Sequence, residues 1–463
     1  MHFKILFLFF FENNLSLFFF CFFLLLLCAM FDFENILKTG FLSKEEILDF
    51  QFQKIQKSIQ YAASKSPFYR KHFEKYGINP FDVNSFENFR LIPTISKDDL
   101  QIENSSFWSV GPGKIIDYVT TSGTLGNPVT VVLSENDLQR LAANEAASYV
   151  LAGCSSADIF QLTTTIDKRF MAGLAYFEGA RFLKSGIVRV GPGAPALQWE
   201  TILRVRPTVL IAVPSFLLKM IDFAHQNGID PSKSSVKKAI CIGESIRNIN
   251  HSLNILGKQI TEKWNIELFS TYASTEMATA FTECSHHMGL HENPALVYTE
   301  ILDENQQPVT PGEPGELTFT NFDVEAMPFV RFRSGDIVRA YTETCSCGRN
   351  SLRIGPVEGR LNQMIKLKGT TLFPPSILEV LNQVKSIDDY RIEIYKTSIG
   401  TDAVSVYFAT ANAQITDVKS ELESKFQSKL RVVPKIIAEN IEQLKQKKYP
   451  EASRKPLTII DRR

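Results

Sequence analysis

The hydrophobic pattern of the chain switches between helical and strand-like stretches. The tetrapeptide Ser-Lys-Glu-Glu at 43–46 has the residues of a helix capping box, and apolar side chains follow at helical spacing to Ala63. Ser134 begins a second predicted helix that runs to about Ala152. The continuous apolar run at 209–213 is typical of a strand buried on both faces.

The same pattern continues beyond residue 213. Pro214 opens a helix that ends near Gly228, and the apolar run at 239–242 ends at Gly243. Strands that alternate with helices predict an α/β body with doubly wound sheets. Ligands bind such sheets at loops that leave the carboxyl ends of strands. Gly123 and Gly243 lie in turns of this kind.

The last hundred residues differ in pattern and predict a small α+β domain. Its expected elements are helices at 375–384 and 415–430 and strands at 390–395, 403–409 and 432–438. The predicted organisation is a hydrophobic leader at 1–29, a large N-terminal domain at 30–359 and a C-terminal mobile domain at 360–463.

The leader is rich in Phe and Leu, but its uncharged run at 15–29 is shorter than the roughly 20 residues of a spanning helix. Lys4 and the apolar run resemble a signal peptide, whereas the polar residues at 12–14 interrupt it. Translation upstream of a true start at Met30, a signal peptide and a membrane anchor stay open.

Composition narrows the class of protein. Lys+Arg and Asp+Glu are both 50, so no basic excess points to nucleic acid. Seven cysteines do not form the pattern of a disulfide framework. Cys154 and Cys241 lie in apolar surroundings and are expected to be core residues.

The loop in YVTTSGTLGNPVTVVL (118–133) concentrates hydroxyl groups and glycines between two predicted strands. Glycines let backbone N–H groups turn toward an anion, and hydroxyls add donors, so the loop suits a polyphosphate. It lacks the Gly-Lys-Ser/Thr of a Walker A loop, and a polar β-turn is the alternative. The candidate ligands are Thr121, Ser122, Gly123, Thr124 and Gly126.

Several motifs occur together in a characteristic order. TSGTLGNP (121–128), YASTE (272–276), FRSGD (332–336) and GRLNQMIK (359–366) resemble the adenylate-forming superfamily. Within it, RFRSGDIVR, CSCGR, RIGPVEGR and LKGTTLFPPSILEVL are similar to the phenylacetate–coenzyme A ligase family, over roughly 45–463. The resemblance implies ATP, Mg²⁺ and coenzyme A, and activation of a carboxylic acid through an acyl-adenylate.

The resemblance also implies site residues. The hydroxyl-rich loop would hold the β- and γ-phosphates, Tyr272 would stack on adenine, and Asp336 would accept from the ribose hydroxyls. Glu276 would bind Mg²⁺. Arg360 would contact ribose or phosphate, and Lys455 would reach the carboxylate and α-phosphate. Further nucleotide-binding residues would be Gly243, Glu244, Ser274 and Thr275, with Lys447 and Lys448 as alternatives to Lys455.

Two positions depart from the family pattern. Asn127 stands where the phosphate loop usually has lysine, and Asn362 where the hinge usually has aspartate. Asparagine tolerates unusual φ/ψ, so the hinge could still turn. Slower adenylation or a different second half-reaction are the expected consequences.

Cysteine and histidine residues form two clusters that suit tetrahedral Zn²⁺. Relatives resembling this chain carry a Cys, a Gly-Leu-His and a Cys-x-Cys at these places. The expected ligands of a structural Zn²⁺ are Cys284, His291, Cys345 and Cys347, with His286 or His287 as the substitute histidine. Reduced thiols without metal are the alternative. Thiolate ligands and ATP favour the cytoplasm.

The acyl pocket is expected before the Gly-Pro-Gly turn at 191–193, where the family's pocket lies. An aromatic stripe at near-helical spacing is more often core than pocket, although pocket residues would fit an apolar or aryl acid. The stripe consists of Phe170, Met171, Leu174, Tyr176, Phe177 and Phe182.

The favoured function is an AMP-forming acid–coenzyme A ligase. Transfer of the acyl group to a carrier protein or an amine is the first alternative, and a non-catalytic nucleotide-binding protein is the second. The expected partners are a small carboxylic acid, ATP and coenzyme A, with no nucleic acid. A homodimer stays open, and membrane contact is expected only if residues 1–29 are real.

Overall fold

The structure is a computed structural model that describes residues 33–121, 129–367, 370–398, 400–411, 413–448 and 457–463. Several predicted features lie outside these residues, namely the leader at 1–29, Ser122, Gly123, Thr124, Gly126, Asn127 and Lys455. No helix in the described part is long and apolar enough to cross a membrane.

Thirteen α-helices lie in the part of the chain that the structure describes. They are α1 (Phe33–Thr39), α2 (Lys44–Lys65), α3 (Pro67–Tyr76), α4 (Phe86–Arg90), α5 (Lys97–Ile102), α6 (Glu135–Leu151), α7 (Met171–Phe182), α8 (Pro195–Val205), α9 (Pro214–Gln226), α10 (Ile255–Lys263), α11 (Pro374–Leu381), α12 (Ile415–Leu430) and α13 (Ile441–Lys448).

The strands of the N-terminal part come first in the chain. They are β1 (Asp117–Thr120), β2 (Thr130–Leu133), β3 (Ile159–Leu162), β4 (Gly186–Arg189), β5 (Val209–Ala212), β6 (Lys238–Cys241), β7 (Glu267–Ser274), β8 (Thr279–Glu283), β9 (Leu290–His291), β10 (Val297–Leu302), β11 (Pro314–Asn321), β12 (Phe332–Tyr341), β13 (Arg353–Ile354) and β14 (Gly359–Arg360). The later strands are β15 (Ile365–Leu367), β16 (Thr370–Leu372), β17 (Asp389–Lys396), β18 (Asp402–Ala409), β19 (Lys435–Ala438) and β20 (Ile459–Asp461).

The large sheet has the order β10-β11-β12-β13-β9-β8-β7-β6-β5-β3-β4, and β14 pairs with β12. Its strands from β7 to β4 are parallel, and those from β7 to β10 are antiparallel. The predicted α/β class is therefore confirmed. The antiparallel half was not predicted, because β10 and β11 are buried along nearly their whole length and carry no alternating hydrophobic pattern.

Local sequence signals explain where the helices begin. The capping box at the start of α2 is formed, since Ser43 Oγ accepts from the Glu46 N–H at 3.2 Å and Glu46 accepts from the Ser43 N–H at 2.8 Å. Ser134 forms the equivalent box before α6. All four residues of β5 are buried between parallel neighbours, as their unbroken apolar run predicts.

The C-terminal residues have a separate hydrophobic core. Strands β17 and β18 pair antiparallel, and β20 and β19 add parallel strands at their outer edges. Val418, Leu422 and Phe426 of α12 pack into this core. The predicted domain boundary near Gly359 falls between the core residues Ile354 and Ile365 and stays a prediction.

Candidate active site

Strands β1 and β2 are hydrogen-bonded to each other up to Thr121 and Val129, at the two ends of the hydroxyl-rich loop. We call this end of the strand pair the neck. Strands β1 and β2 pair antiparallel, with Thr120 opposite Thr130. The Thr121 N–H donates to Val129 O at 3.0 Å, and the Val129 N–H donates to Thr121 Oγ1 at 3.3 Å. The two strands predicted on either side of the loop are confirmed, and residues 122–128 lie outside the described residues. The phosphate-binding roles of the loop residues stay predictions.

Loop 163–170 is hydrogen-bonded to this neck. The Thr120 N–H donates to Arg169 O at 3.0 Å, and both Lys168 and Arg169 have left-handed backbone, with φ of 61° and 59°. A Cβ added to Gly173 of α7 would lie 1.9 Å from Thr165 O. Loop 163–170 is therefore held tightly between the neck and α7.

Tyr272 and Glu276 share one hairpin. Tyr272 lies in β7, and Glu276 is buried in the turn before β8. Ser274 Oγ accepts from the Met277 N–H at 3.1 Å, so this hydroxyl shapes the turn. Asn321 Nδ2 donates to Glu276 O at 3.4 Å. Hydrogen bonds thus fix the turn that follows Tyr272 and carries Glu276.

The structure joins three predicted ligands into one chain of contacts. The Tyr272 hydroxyl donates to Asp336 Oδ2 at 2.8 Å, and Arg360 Nε donates to Asp336 Oδ1 at 3.2 Å. Burial, and then the charge of Asp336, raises the pKa of Tyr272 well above its ordinary value. The phenol therefore stays a hydrogen-bond donor to the carboxylate.

Strand pairing positions this group. Asp336 on β12 lies opposite Arg360 on β14 in register. The neighbouring Gly359 has room only for hydrogen, because an added Cβ would lie 2.2 Å from the ring of Phe373. A carboxylate has about four lone-pair sites, so Asp336 can still accept from another hydroxyl.

Gly243 and Glu244 follow β6 at the carboxyl end of the parallel strands, next to β7. Gly243 has a φ of 74°, which favours glycine. The Glu244 carboxylate accepts from the Ser215 N–H and hydroxyl, both at 2.9 Å, and so caps the start of α9. Adenine contact by this pair stays a prediction.

Sequence reasoning missed Lys97. Its ammonium lies 3.7 Å from Glu276 Oε1, although the two residues are far apart in the sequence. The only sequence signal is a cation at the first position of a helix, where carboxylates are usual.

Sequence reasoning also missed Arg140, which is fully buried in α6. Its guanidinium donates to Ala278 O at 2.6 Å and to Thr279 Oγ1 at 2.9 Å, just after the turn that carries Glu276. Further bonds to Phe322 O and Leu296 O complete its set of neutral acceptors. Arg140 thus links the β7–β8 hairpin to α6 and to the segments that contain Leu296 and Phe322.

The four predicted metal ligands lie together. Cys284, His291, Cys345 and Cys347 offer ligand atoms that all lie within 4.8 Å of one another. Cys284 Sγ and Cys345 Sγ are 3.7 Å apart, and Cys347 Sγ lies 3.6 Å from His291 Nε2. A tetrahedron with Zn–S bonds of about 2.3 Å has edges of about 3.8 Å, so the donor set fits Zn²⁺.

The contacts of the histidines distinguish the metal candidates. His291 Nδ1 lies 3.2 Å from Ser351 Oγ, which leaves Nε2 toward the thiols. His287 instead lies between Glu283 at 3.2 Å and Glu267 at 3.1 Å, and His286 is exposed. The alternative with His286 or His287 as ligand is therefore not supported by the geometry.

The other two cysteines are buried, as expected. Burial raises the pKa of Cys154 to about 12 and also raises the pKa of Cys241. Both thiols therefore stay protonated and inert.

The aromatic stripe contributes mainly to packing. Met171 and Tyr176 are buried in hydrophobic clusters, and the Phe182 ring lies 5.2 Å from that of Phe33. Phe170 is the exposed member, at the end of loop 163–170. The core interpretation thus holds for Met171 and Tyr176, and Phe182 packs partly buried against another cluster. Phe170 is exposed and Leu174 and Phe177 are half-buried, so these three stay candidates for an acyl contact.

The predicted hinge residue Asn362 and the two alternatives to Lys455 lie in the C-terminal part of the chain. The backbone of Asn362 belongs to a short 3-10 helix at Leu361–Gln363. Lys447 pairs with Glu439 and Lys448 with Asp389. Both lysines are thus occupied by carboxylates in this arrangement.

Comparison with known sequences gives one matching family. Residues 97–324 match the family described as AMP-binding enzyme. The chain is 26% identical to a phenylacetate–coenzyme A ligase of Thermus thermophilus, over 75% of this chain and 77% of the relative. It is 27% identical to one of Pseudomonas putida, over 79% of this chain and 82% of the relative.

Solved structures share the fold. A 2-hydroxyisobutyryl-CoA ligase in the postadenylation state superposes with a TM-score of 0.78 at 20% identity, over 92% of each chain. The same enzyme with 2-HIB-AMP and CoA in the thioesterification state gives a TM-score of 0.66 at 22% identity, over 92% of this chain and 91% of the other.

Proposed function

From the match of residues 97–324 to the AMP-binding enzyme family and the similarity to phenylacetate–coenzyme A ligases, we propose that this chain is an AMP-forming acid–coenzyme A ligase. The observation that carries the proposal is the contact chain Tyr272–Asp336–Arg360, whose first member lies on the hairpin that also bears Glu276. A phenol, a carboxylate and a guanidinium at this spacing suit a base and a ribose beside phosphates.

In the first half-reaction, a carboxylate oxygen of the substrate attacks the α-phosphorus of ATP. The new O–P bond forms the acyl-adenylate, and the bond to the β-phosphate oxygen breaks, so that pyrophosphate leaves with the electron pair. Glu276 would hold the Mg²⁺ that neutralises this charge. Arg360 and the predicted Lys455 would place cations beside the transferring phosphate.

In the second half-reaction, the sulfur of coenzyme A attacks the acyl carbonyl carbon. A C–S bond forms, the C–O bond to AMP breaks, and the thiol proton passes to solvent. The small domain is expected to rotate about the region of Asn362 between the two steps. An apolar or aryl acid is the proposed substrate class, with Phe170 as its candidate contact.

The four-ligand Cys/His cluster would hold a structural Zn²⁺. The ion would cross-link the segment after β8 to the loop after β12. The Arg349 side chain ties that loop to the N-terminal residues, since its guanidinium lies 4.3 Å from the Phe41 ring centroid. Reduced thiolates and ATP make the cytoplasm the proposed compartment.

The test is pyrophosphate release with a panel of aryl and aliphatic acids, with and without coenzyme A. We expect release that requires both ATP and acid, together with a CoA thioester detected by mass spectrometry. Glu276→Gln should lower the rate about 100-fold or more through loss of the metal ligand. Glu135→Gln, an exposed glutamate at the start of α6, is the matched control.

The alternative outcomes are distinct. An acyl-adenylate that forms but is not consumed by coenzyme A would identify a carrier protein or an amine as the acceptor. ATP binding without pyrophosphate release for any acid would support a non-catalytic nucleotide-binding protein, whereas absence of ATP binding would contradict the proposed function.

A further inference from the structure

Arg349 lies between the Cys/His cluster and the N-terminal residues of the described chain. Its Nη1 donates to Cys347 Sγ at 3.5 Å, and its guanidinium lies 4.3 Å from the centroid of the Phe41 ring. A hydrogen bond from a guanidinium is stronger when the acceptor is charged, and the planar guanidinium also stacks on aromatic faces. Among the residues that the structure describes, Arg349 forms no ion pair with a carboxylate, so a thiolate at Cys347 is the anion available to it.

The predicted metal core needs a cation beside it. Three thiolates and one neutral imidazole around Zn²⁺ leave a formal charge of about −1. Cys284, Cys345 and His291 are buried, and an uncompensated charge is costly away from water. The guanidinium of Arg349, which already donates to Cys347, is placed to compensate that charge.

Arg353, the next arginine along the chain, has other partners. Its guanidinium donates to the backbone carbonyls of Met288 and Glu343, and it lies 3.7 Å from the Glu343 carboxylate. The charge of Arg353 is thus already paired with a carboxylate, which leaves Arg349 to compensate the thiolates.

The loop at 342–352, between β12 and β13, also holds the turn between α1 and α2. The Asn350 N–H donates to Gly40 O at 2.8 Å, and Asn350 Nδ2 donates to Leu42 O at 2.9 Å. The Phe41 ring between these two acceptors is the one on which Arg349 stacks. Residues 40–42 are therefore docked on the loop that supplies two of the four metal ligands.

The docked turn is connected to the supports of the candidate active site through α1. Ile36 of α1 shares a hydrophobic cluster with Ala143 and Ala147 of α6, and the Phe33 ring lies 5.2 Å from that of Phe182 at the end of α7. Helix α6 follows β2, and α7 follows loop 163–170. A change in the docking of residues 40–42 would therefore reach both helices.

We propose that Arg349 is a positioning residue that compensates the negative charge of the metal–thiolate core and thereby makes the docking of residues 40–42 depend on bound zinc. The proposal rests on the zinc site of the proposed function and goes beyond it, because it assigns the site an effect on the N-terminal segment. Bound zinc keeps Cys347 as a thiolate in a fixed place, so its removal weakens the hydrogen bond from Arg349. Coupling between two binding events is reciprocal, so the contacts of Arg349 should also strengthen zinc binding.

The experiment has two readouts, neither of which depends on ligase activity. The first is zinc affinity, measured by competition with a chelator. Arg349→Met should weaken zinc binding about tenfold, whereas Arg349→Lys keeps the charge and should retain most of the affinity. Arg189→Met is the matched control, because it removes another guanidinium that stacks on a ring, 5.2 Å from the Phe177 centroid, and it should change zinc affinity by less than about twofold.

The second readout is hydrogen exchange, measured by mass spectrometry on zinc-loaded and chelator-treated wild type. The amides of Phe41 and Leu42 donate to Lys38 O and Thr39 O, so they report on the docked turn. Zinc removal should speed their exchange about tenfold or more, while exchange in the buried strand β5 stays unchanged.

The outcomes separate the two levels of inference. Wild type that binds no zinc would overturn the metal assignment of the proposed function, and the role of Arg349 with it. Zinc binding with exchange at residues 41–42 that does not depend on the metal would overturn the coupling alone. Equal zinc affinity in wild type and Arg349→Met would also overturn it, and so would an equal loss in Arg349→Lys, because that loss would indicate packing and not charge. If Arg349→Met does not fold, Phe41→Leu removes the other side of the stacking contact and should weaken zinc binding in the same direction.

Discussion

The Tyr272 hydroxyl donates to Asp336 Oδ2 at 2.8 Å across 64 positions of sequence. The phenol lies on β7, and the carboxylate lies on β12, which Arg360 approaches from β14. The contact therefore orients Asp336, the predicted ribose-binding carboxylate. The hydroxyl group that makes it belongs to Tyr272, the residue predicted to stack on adenine.

Tyr272→Phe tests that relationship. The ring stays while the hydroxyl is lost, so we expect the KM for ATP to rise about 3- to 30-fold through looser orientation of Asp336, with a smaller effect on kcat. Because the pKa of Tyr272 is raised well above its ordinary value, the difference should not vary with pH up to about 10.

Tyr61→Phe is the matched control, because the Tyr61 hydroxyl also donates a 2.8 Å hydrogen bond, to Glu325 O. A Tyr272→Phe enzyme with the KM of wild type would show that this hydroxyl does not contribute to ATP binding.

The Cys/His cluster predicts one bound zinc ion per chain, measured by mass spectrometry of metal content after purification without added metal. Cys284→Ser and His291→Ala should each lower zinc affinity about 100-fold or more, since three-ligand sites hold metal less firmly. His286→Ala should keep its zinc, because that side chain is exposed. Zinc retained equally in all three variants would contradict the assignment.

Gly173→Ala tests the packing of loop 163–170. The added methyl carbon would lie 1.9 Å from Thr165 O, so the loop must shift, and with it Arg169 O at the neck of the hydroxyl-rich loop. We expect destabilisation of about 1–3 kcal/mol in thermal unfolding and a lower rate of adenylate formation. Gly113→Ala is the control, because its Cβ would meet nothing within 4 Å.

An unchanged adenylation rate in a destabilised Gly173→Ala enzyme would show that loop 163–170 contributes to packing and not to adenylate formation. The measurement is the initial rate of pyrophosphate release at saturating ATP.

Glu145 predicts a pH dependence of stability. Burial raises its pKa from 4.5 to about 8, so folding favours the protonated carboxyl group. This contribution is fully present below the unfolded-state pKa and is lost as pH rises from about 4.5 through about 8. Glu145→Gln cannot ionise and should retain the stability that wild type loses, about 2–5 kcal/mol at high pH.

The measurement is the thermal midpoint of wild type and Glu145→Gln between about pH 5 and about pH 8.5. The gap should widen as pH rises, whereas Glu135→Gln, at an exposed position of the same helix, should show a constant gap. A gap for Glu145→Gln that does not depend on pH would contradict a raised pKa.

Local signals were sufficient for much of the fold. Helix α2 begins at its capping box, and β5 is buried along its whole length, because both features depend on neighbouring residues and on apolar periodicity. The four metal ligands could be predicted because cysteine and histidine bind zinc and because the family resemblance implies this set. Setting aside the substitute His287 needed the structure, in which β9 pairs with β13 and His291 Nε2 lies beside Cys347 Sγ.

The sequence by itself determined the α/β class, the strands and helices with strong periodicity, and the identity of the motif residues. Only the tertiary structure decided that Lys97 meets Glu276, that Arg140 supports the hairpin and that Met171 and Tyr176 of the aromatic stripe are core. Motifs and periodicities are properties of adjacent residues, whereas a contact between distant segments depends on strand register and on the packing of the whole sheet.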